Sequence, residues 1–81
     1  MLKDHDEVEV TVTAVPPWGL DVVTRDGRPG FIDRLKIAQA AVPGPGDVLQ
    51  VVILDVGRVP FRASLQPRDF AVAREARNRG R

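Results

Sequence analysis

The side chains best suited to chemistry in this sequence are aromatic rings and arginines. Trp18, the only tryptophan, follows the Pro16-Pro17 pair, and Phe31 comes later in the same half of the chain. Arginines lie on both sides of Phe31, at Arg25, Arg28 and Arg34. Aromatic faces stack against bases and cations pair with phosphates, so this combination suits single-stranded nucleic acid. Each aromatic ring also suits a hydrophobic core, and each arginine a solvated surface, so both interpretations stay open.

Catalysis has no support in the sequence. The only histidine, His5, lies between Asp4 and Asp6 without a partner at metal or triad spacing, and cysteine is absent. No glycine-rich loop precedes a helix, and the carboxylates form no evident acid–base pair. We therefore expect a protein that is not an enzyme and that holds no metal and no cofactor.

Length and composition predict one small domain built on a hydrophobic core. The 81 residues provide for a single core, and the frequent valines favour sheet over helix. The first residues lack a secretory signal, and no stretch approaches the length of a membrane span. We expect a cytoplasmic protein with no membrane partner.

The two ends of the sequence carry opposite charge. The first nine residues hold four acidic side chains, whereas residues 67–81 hold five arginines against two acids. We treat residues 67–81 as a basic C-terminal extension with possible nucleic-acid contacts at Arg74, Arg77, Arg79 and Arg81. A frayed basic terminus is an equal alternative, and a GC-rich genome would also produce ten arginines against two lysines.

Alternation of apolar and polar residues predicts five strands. They are 7–15, 18–25, a third that begins at Phe31-Ile32, 48–56 and 61–65. The residues expected to face inward are Val8, Val10, Val12 and Ala14 in the first, Leu20 and Val22 in the second, and Leu49, Val51 and Ile53 in the fourth. Pro16-Pro17 ends the first strand, and a loop of Asp26-Gly27 and Pro29-Gly30 follows the second.

Two short helices complete the prediction. Residues from Asp33 to Ala41 suit one or two helical turns, which the Pro-Gly-Pro-Gly run at 43–46 ends. Residues 69–77 suit an amphipathic helix that presents Phe70 and Ala73, and we expect residues 78–81 to be disordered. Three strands, a helix and two strands is the layout of the five-stranded Greek-key OB barrel, an all-β fold. An SH3-like barrel remains an alternative on the pattern alone.

The sequence resembles the S1 family of RNA-binding domains over about residues 7–66. The matching segments are Val12 to Val22 with its Trp18-Gly19 pair, Gly30-Phe31-Ile32-Asp33, Gly46-Asp47 with the following apolar strand, and Arg62 to Gln66. The resemblance implies an OB domain over residues 1–66 whose second and third strands carry the ligand face. It implies that Trp18 and Phe31 stack on bases and that Arg62 meets phosphates. Arg28 and Arg34 cluster around the second and third strands, and we expect them to meet phosphates as well.

Three positions depart from the family pattern. Asp21 stands where the family has a second stacking aromatic, Asp33 where it usually has histidine, and Gly57 where it usually has aspartate. The two aspartates repel phosphate. The first hypothesis is weak binding of single-stranded RNA with little sequence preference, alongside a ribosome or an RNA-processing complex by family analogy. The alternative is a protein–protein interaction module that has lost nucleic-acid binding.

Overall fold

The chain folds into a closed barrel of five strands with one C-terminal helix. The computed structural model describes residues 2–37 and 42–79. The elements are β1 (Glu7–Ala14), β2 (Gly19–Thr24), β3 (Pro29–Asp33), a 3₁₀ turn (Arg34–Lys36), β4 (Val48–Asp55), β5 (Phe61–Ser64) and α1 (Pro67–Arg79). The strands follow one another around the barrel as β1-β2-β3-β5-β4, with β4 returning to β1 and β3 running parallel to β5. This confirms the predicted all-β, OB-like fold.

The core forms because alternate residues of every strand point into the barrel. Its fully buried members are Val10, Val12, Leu20, Val22, Ile32, Val51, Ile53, Phe61 and Ala63. Burying a side chain of valine or leucine size stabilises the fold by about 1.5–3 kcal/mol, so this set is the main source of stability. The predicted inward residues Val8 and Leu49 pack against the core but remain half-buried.

A β-bulge interrupts the alternation near the end of β1. Val12 pairs with Val22, but the next pair joins Ala14 to Asp21, so the register shifts by one residue between them. The Thr13 hydroxyl donates a hydrogen bond to the backbone carbonyl of Asp21. Ala14, predicted to face the core, is therefore only half-buried and lies opposite an outward residue.

The turn between β2 and β3 is shorter than the sequence predicts. Gly27 adopts a positive φ of 89°, as a tight turn after Asp26 requires. Pro29 and Gly30, however, belong to β3 and not to a loop, which corrects the prediction. Gly30 lies in a strand because the Phe61 ring packs on its Cα: a Cβ there would lie 2.3 Å from Phe61 Cζ. A glycine of this kind indicates close packing instead of a turn.

The helical segments also differ from their predictions. After Asp33 there is a single 3₁₀ turn instead of one or two α-helical turns, and residues 38–41 of the predicted helix lie outside the described part of the chain. The C-terminal helix is longer than predicted, and the expected disorder is wrong for Asn78 and Arg79, which are helical. Pro67 begins this helix because proline suits the first helical position.

Helix α1 packs against β4 on the outside of the barrel. Its Ala73 is buried, and this packing accounts for the complete burial of Val52, an outer-face residue of β4. Next to Ala73 along the helix, Arg74 binds Glu7 of β1, and Arg77 binds the same carboxylate. Within residues 2–37 and 42–79, no helix has the length and apolar character to cross a bilayer.

Candidate nucleic-acid interface

A row of four side chains crosses the outer face of the barrel. Asp21 of β2 pairs with Phe31 of β3, Phe31 pairs with Arg62 of β5, and Arg62 pairs with Asp55 of β4. Asp21, Phe31 and Arg62 each alternate with core residues and so share the outer face, and a register shift between Ile53 and Asp55 brings Asp55 opposite Arg62. Residues directly opposite one another on neighbouring strands have Cβ atoms about 4.5–5.5 Å apart. The fold therefore brings an aromatic ring, a guanidinium group and two carboxylates into one row.

Phe31 and Arg62 form a stacked pair in the middle of this row. The guanidinium carbon of Arg62 lies 5.0 Å from the centroid of the Phe31 ring, within the range of a cation–π contact. The ring also lies close to Gly19, where an added Cβ would come within 2.7 Å of Phe31 Cζ. Covered in this way, Phe31 is only 8% exposed. The planar group that this pair offers to a base is therefore the guanidinium, with the ring beneath it.

A cleft of about 340 Å³ adjoins the stacked pair. Its lining is Phe31, Asp33, Leu35, Lys36, Leu54, Arg58, Arg62 and Ala63. In the described part of this lining three cations face one aspartate, so the cleft suits an anionic ligand. Sequence reasoning missed Lys36 and Arg58. The signal for Arg58 was its position in the β4–β5 turn, just before the strand that carries Arg62; no local signal identified Lys36.

Ion pairs fix the cations at the edge of this cleft. Lys36 Nζ lies 3.1 Å from Asp69 Oδ2 of α1, and Arg58 Nε lies 3.8 Å from Asp55 Oδ2. Asp69 also accepts a hydrogen bond from the buried hydroxyl of Ser64 at 2.6 Å. Burial raises the pKa of Asp69, but the hydrogen bonds from Ser64 and Lys36 outweigh it and the net pKa is lowered. The helix therefore holds Lys36 in place beside the cleft.

The two aspartates that depart from the family pattern differ in their contacts. Asp33 Oδ1 accepts a hydrogen bond of 2.9 Å from the backbone N–H of Leu35 and so caps the 3₁₀ turn. Asp21 is half-buried, and its carboxylate has no hydrogen bond or ion pair with any residue that the structure describes. At the third position of departure, the Gly57 N–H donates to Asp55 Oδ1 at 2.8 Å.

Trp18 is open to solvent at the edge of the barrel. Its side chain is 64% exposed, as base stacking requires, and its backbone carbonyl accepts a hydrogen bond from Arg34 N at 2.9 Å. Arg34 lines a second groove, of about 300 Å³, together with Pro16 and Pro17. Arg28 is exposed in the β2–β3 turn and does not line either of these two sites. Of the five predicted contact residues, the structure brings Phe31 and Arg62 together and places Trp18 beside Arg34.

The arginines of α1 are engaged with acidic side chains. Arg74 donates two hydrogen bonds of 2.8 Å to the carboxylate of Glu7, and Arg77 donates a third of 2.7 Å. These contacts, with Arg74 the largest contributor, lower the pKa of Glu7 from 4.5 to about 2. Arg79 pairs with Glu75 one helical turn earlier, and Arg81 lies outside the described residues. Contact between these arginines and nucleic acid stays a prediction.

A larger groove of about 600 Å³ lies beside the β2–β3 turn and lacks the features of the cleft. Among the residues that the structure describes, its lining holds no aromatic side chain and one arginine, Arg25, which pairs with Glu9 at 3.3 Å. With Asp26 also present, this groove has more acidic than basic groups. The cleft beside Arg62 is therefore the better candidate for binding nucleic acid.

Comparison with known proteins supports the fold assignment. No protein-family model matches the sequence, and no curated protein matches it. The chain is similar in structure to a multidomain protein with nucleic acid binding domains from Streptococcus pneumoniae, with a TM-score of 0.68 and 22% identity over 80% of this chain. It is also similar to an uncharacterized protein from Methanocaldococcus jannaschii, with a TM-score of 0.72 and 14% identity over 83% of this chain and 96% of that chain. The chain spans only 23% of the streptococcal protein, so the likeness concerns one domain of that protein.

Proposed function

We propose that this chain is an S1-like OB domain that binds single-stranded RNA weakly, as a binding domain and not as an enzyme. The observation that carries the proposal is the Arg62 guanidinium stacked on Phe31 beside a cleft with two further cations, Lys36 and Arg58. Exposed Trp18 adds a second stacking surface. The nucleic acid binding domains of the streptococcal neighbour agree with this proposal, and the choice of RNA rests on the resemblance to S1 domains.

The magnitudes favour weak binding. Stacking is worth about 1–3 kcal/mol per base, and the barrel offers two stacking groups, Arg62 on the outer face and Trp18 at the edge. The logarithm of the binding constant falls with the logarithm of the salt concentration, and three cations that contact phosphates of a single strand give this salt slope a value of about −2. Lys36 and Arg58 already have carboxylate partners, so their contribution is smaller than that of free cations. We expect a dissociation constant of about tens to hundreds of micromolar at low salt.

Fluorescence anisotropy of a labelled eight-nucleotide RNA tests the proposal. Trp18→Ala removes one stacking group from an exposed position, so the fold should survive while affinity falls about five-fold or more. Val72→Ala is the matched control, because Val72 is 57% exposed on α1, outside the cleft. No change in anisotropy up to millimolar protein, with circular dichroism showing a folded barrel, would refute RNA binding. A DNA strand of the same sequence tests the preference for RNA.

A protein partner is the second candidate because two large apolar side chains near the cleft are exposed to solvent. Leu35 is 82% exposed on its rim, and Val59, next to Arg58 in the β4–β5 turn, is 89% exposed. Asp21→Phe separates the candidates, since it restores the aromatic residue of the S1 pattern. If the wild type does not bind RNA and this variant binds it well, the natural face has been turned away from RNA, which favours the protein partner.

A further inference from the structure

We infer that Asp21 makes the ligand face prefer guanine, an inference that rests on the proposed RNA-binding function. Asp21 stands directly opposite Phe31, whose ring supports the Arg62 guanidinium. The residue is half-buried, the Thr13 hydroxyl donates to its backbone carbonyl, and its carboxylate has no hydrogen-bond partner within the described part of the chain. A carboxylate therefore stands free next to the plane on which a base would stack.

The other carboxylates of this region are already occupied. Asp33 Oδ1 accepts the Leu35 N–H, Asp55 holds the Gly57 N–H and faces Arg58, and Asp69 holds Ser64 and Lys36. Such contacts give these acids structural roles. Among the described residues of the cross-strand row, Asp21 alone keeps both carboxylate oxygens available to a ligand.

The chemistry of a free carboxylate selects among the bases. An ionised carboxylate only accepts hydrogen bonds, and it accepts two most strongly from a pair of adjacent donors. Guanine presents such a pair on its Watson–Crick edge, N1–H and the 2-amino group. Adenine, cytosine and uracil each offer a single donor group there. The Arg62 guanidinium lies over Phe31 of β3, and Asp21 of β2 stands directly opposite Phe31, so the edge of a base stacked there lies toward Asp21.

The same arrangement reconciles the aspartate with an anionic ligand. Arg58 and Lys36 line the cleft with Arg62, whereas Asp21 lies on the other side of Phe31 in the strand order. Phosphates are attracted toward the cleft cations and repelled from Asp21. The strand should therefore bind with its backbone toward the cleft and its base edges toward β2.

Three labelled RNA strands measured by anisotropy test this inference: eight uridines, the same strand with one central guanosine, and the same strand with inosine in that position. Inosine lacks the 2-amino group and so removes one of the two donors. We expect the guanosine strand to bind the wild type about five-fold or more tightly than the uridine strand, and inosine to lose most of that gain. Asp21→Asn should lose the guanosine preference while binding the uridine strand as tightly as the wild type, or more tightly.

The control and the opposing outcomes separate this inference from simple charge repulsion. Glu9→Gln makes the same change in charge at an exposed β1 position beside the β2–β3 turn, and it should keep the guanosine preference. Equal affinity of the wild type for the guanosine and uridine strands overturns the inference, as does an unchanged preference in Asp21→Asn. Failure of all three strands to bind instead refutes the proposed RNA binding.

Discussion

Replacing Gly19 with alanine tests the close approach of β2 to β3 on which the ligand face depends. Gly19 pairs with Asp33 at the end of the β2–β3 ladder, next to Trp18. A Cβ on Gly19 would lie 2.1 Å from the carbonyl oxygen of Ile32 and 2.7 Å from Phe31 Cζ. Ordinary contacts of a Cβ begin near 3.4 Å, so the two strands must separate locally by about 1 Å.

The magnitude of the effect follows from what this separation disrupts. Overpacking of a tight site costs about 1–3 kcal/mol, and the loss of one ladder hydrogen bond adds about 1 kcal/mol. We therefore expect Gly19→Ala to lower the free energy of unfolding by about 2–4 kcal/mol. A domain of this length has a total stability of about 4–12 kcal/mol, so the change removes a large fraction of it.

Urea denaturation followed by circular dichroism measures this difference, and Gly44→Ala is the matched control. Gly44 has no atom within 4 Å of an added Cβ and does not adopt a left-handed conformation, so alanine there should be neutral or stabilising by up to about 1 kcal/mol. If Gly19→Ala unfolds within about 0.5 kcal/mol of the wild type, then β2 and β3 do not approach as described, and the packing of Phe31 on Gly19 is wrong.

Two further predictions concern the acid–base contacts and the stacked pair. Because the folded-state pKa of Glu7 is about 2 against an ordinary 4.5, its bonds to Arg74 and Arg77 contribute stability above pH 4.5 that is lost as the pH falls toward 2. In thermal unfolding, Glu7→Gln should be less stable than the wild type at neutral pH and equal to it near pH 2, and a constant difference across this range would contradict the assignment. Arg62→Lys keeps the charge but not the planar guanidinium group, so RNA affinity should fall about five-fold or more with an unchanged salt slope. Arg58→Ala should make the slope less negative, by less than about 0.7 because Asp55 already pairs with Arg58. If anisotropy titrations give the same affinity and the same salt slope for both variants and the wild type, Arg62 does not stack on a base and Arg58 does not contact a phosphate.

The features that the sequence predicted correctly are those set by local periodicity. Valines at every second position indicate strands with one buried face, and residues such as Val10, Val12 and Leu20 are fully buried as expected. The order of the elements then favours the OB barrel. Gly30 shows the limit of local reasoning, because its neighbour Pro29 suggests a turn, whereas the reason for the glycine is the distant Phe61 ring.

The candidate site was predicted only in part because its residues meet through long-range pairing. Phe31 and Arg62 become neighbours through the parallel pairing of β3 with β5, which periodicity alone did not predict. Lys36 reaches the cleft because Asp69 of α1 holds it there, a contact between residues far apart in the sequence. Likewise, the opposite charges of the two ends were visible, but the pairing of Arg74 with Glu7 depends on where α1 packs.

The contacts of Asp33 change what its departure from the S1 pattern means. On the sequence alone, Asp33 and Asp21 both count as charges that repel phosphate. In the structure Asp33 caps the turn that leads to Lys36, so this acid helps to form the edge of the cleft that carries a cation. Asp33 Oδ1 accepts the Leu35 N–H, and Lys36 lines the same cleft. Asp33 therefore repels an approaching phosphate less than an isolated carboxylate would. Asp21 is therefore the acid that most affects which groups bind to this face. Its carboxylate attracts the hydrogen-bond donors of a base and repels phosphate oxygens.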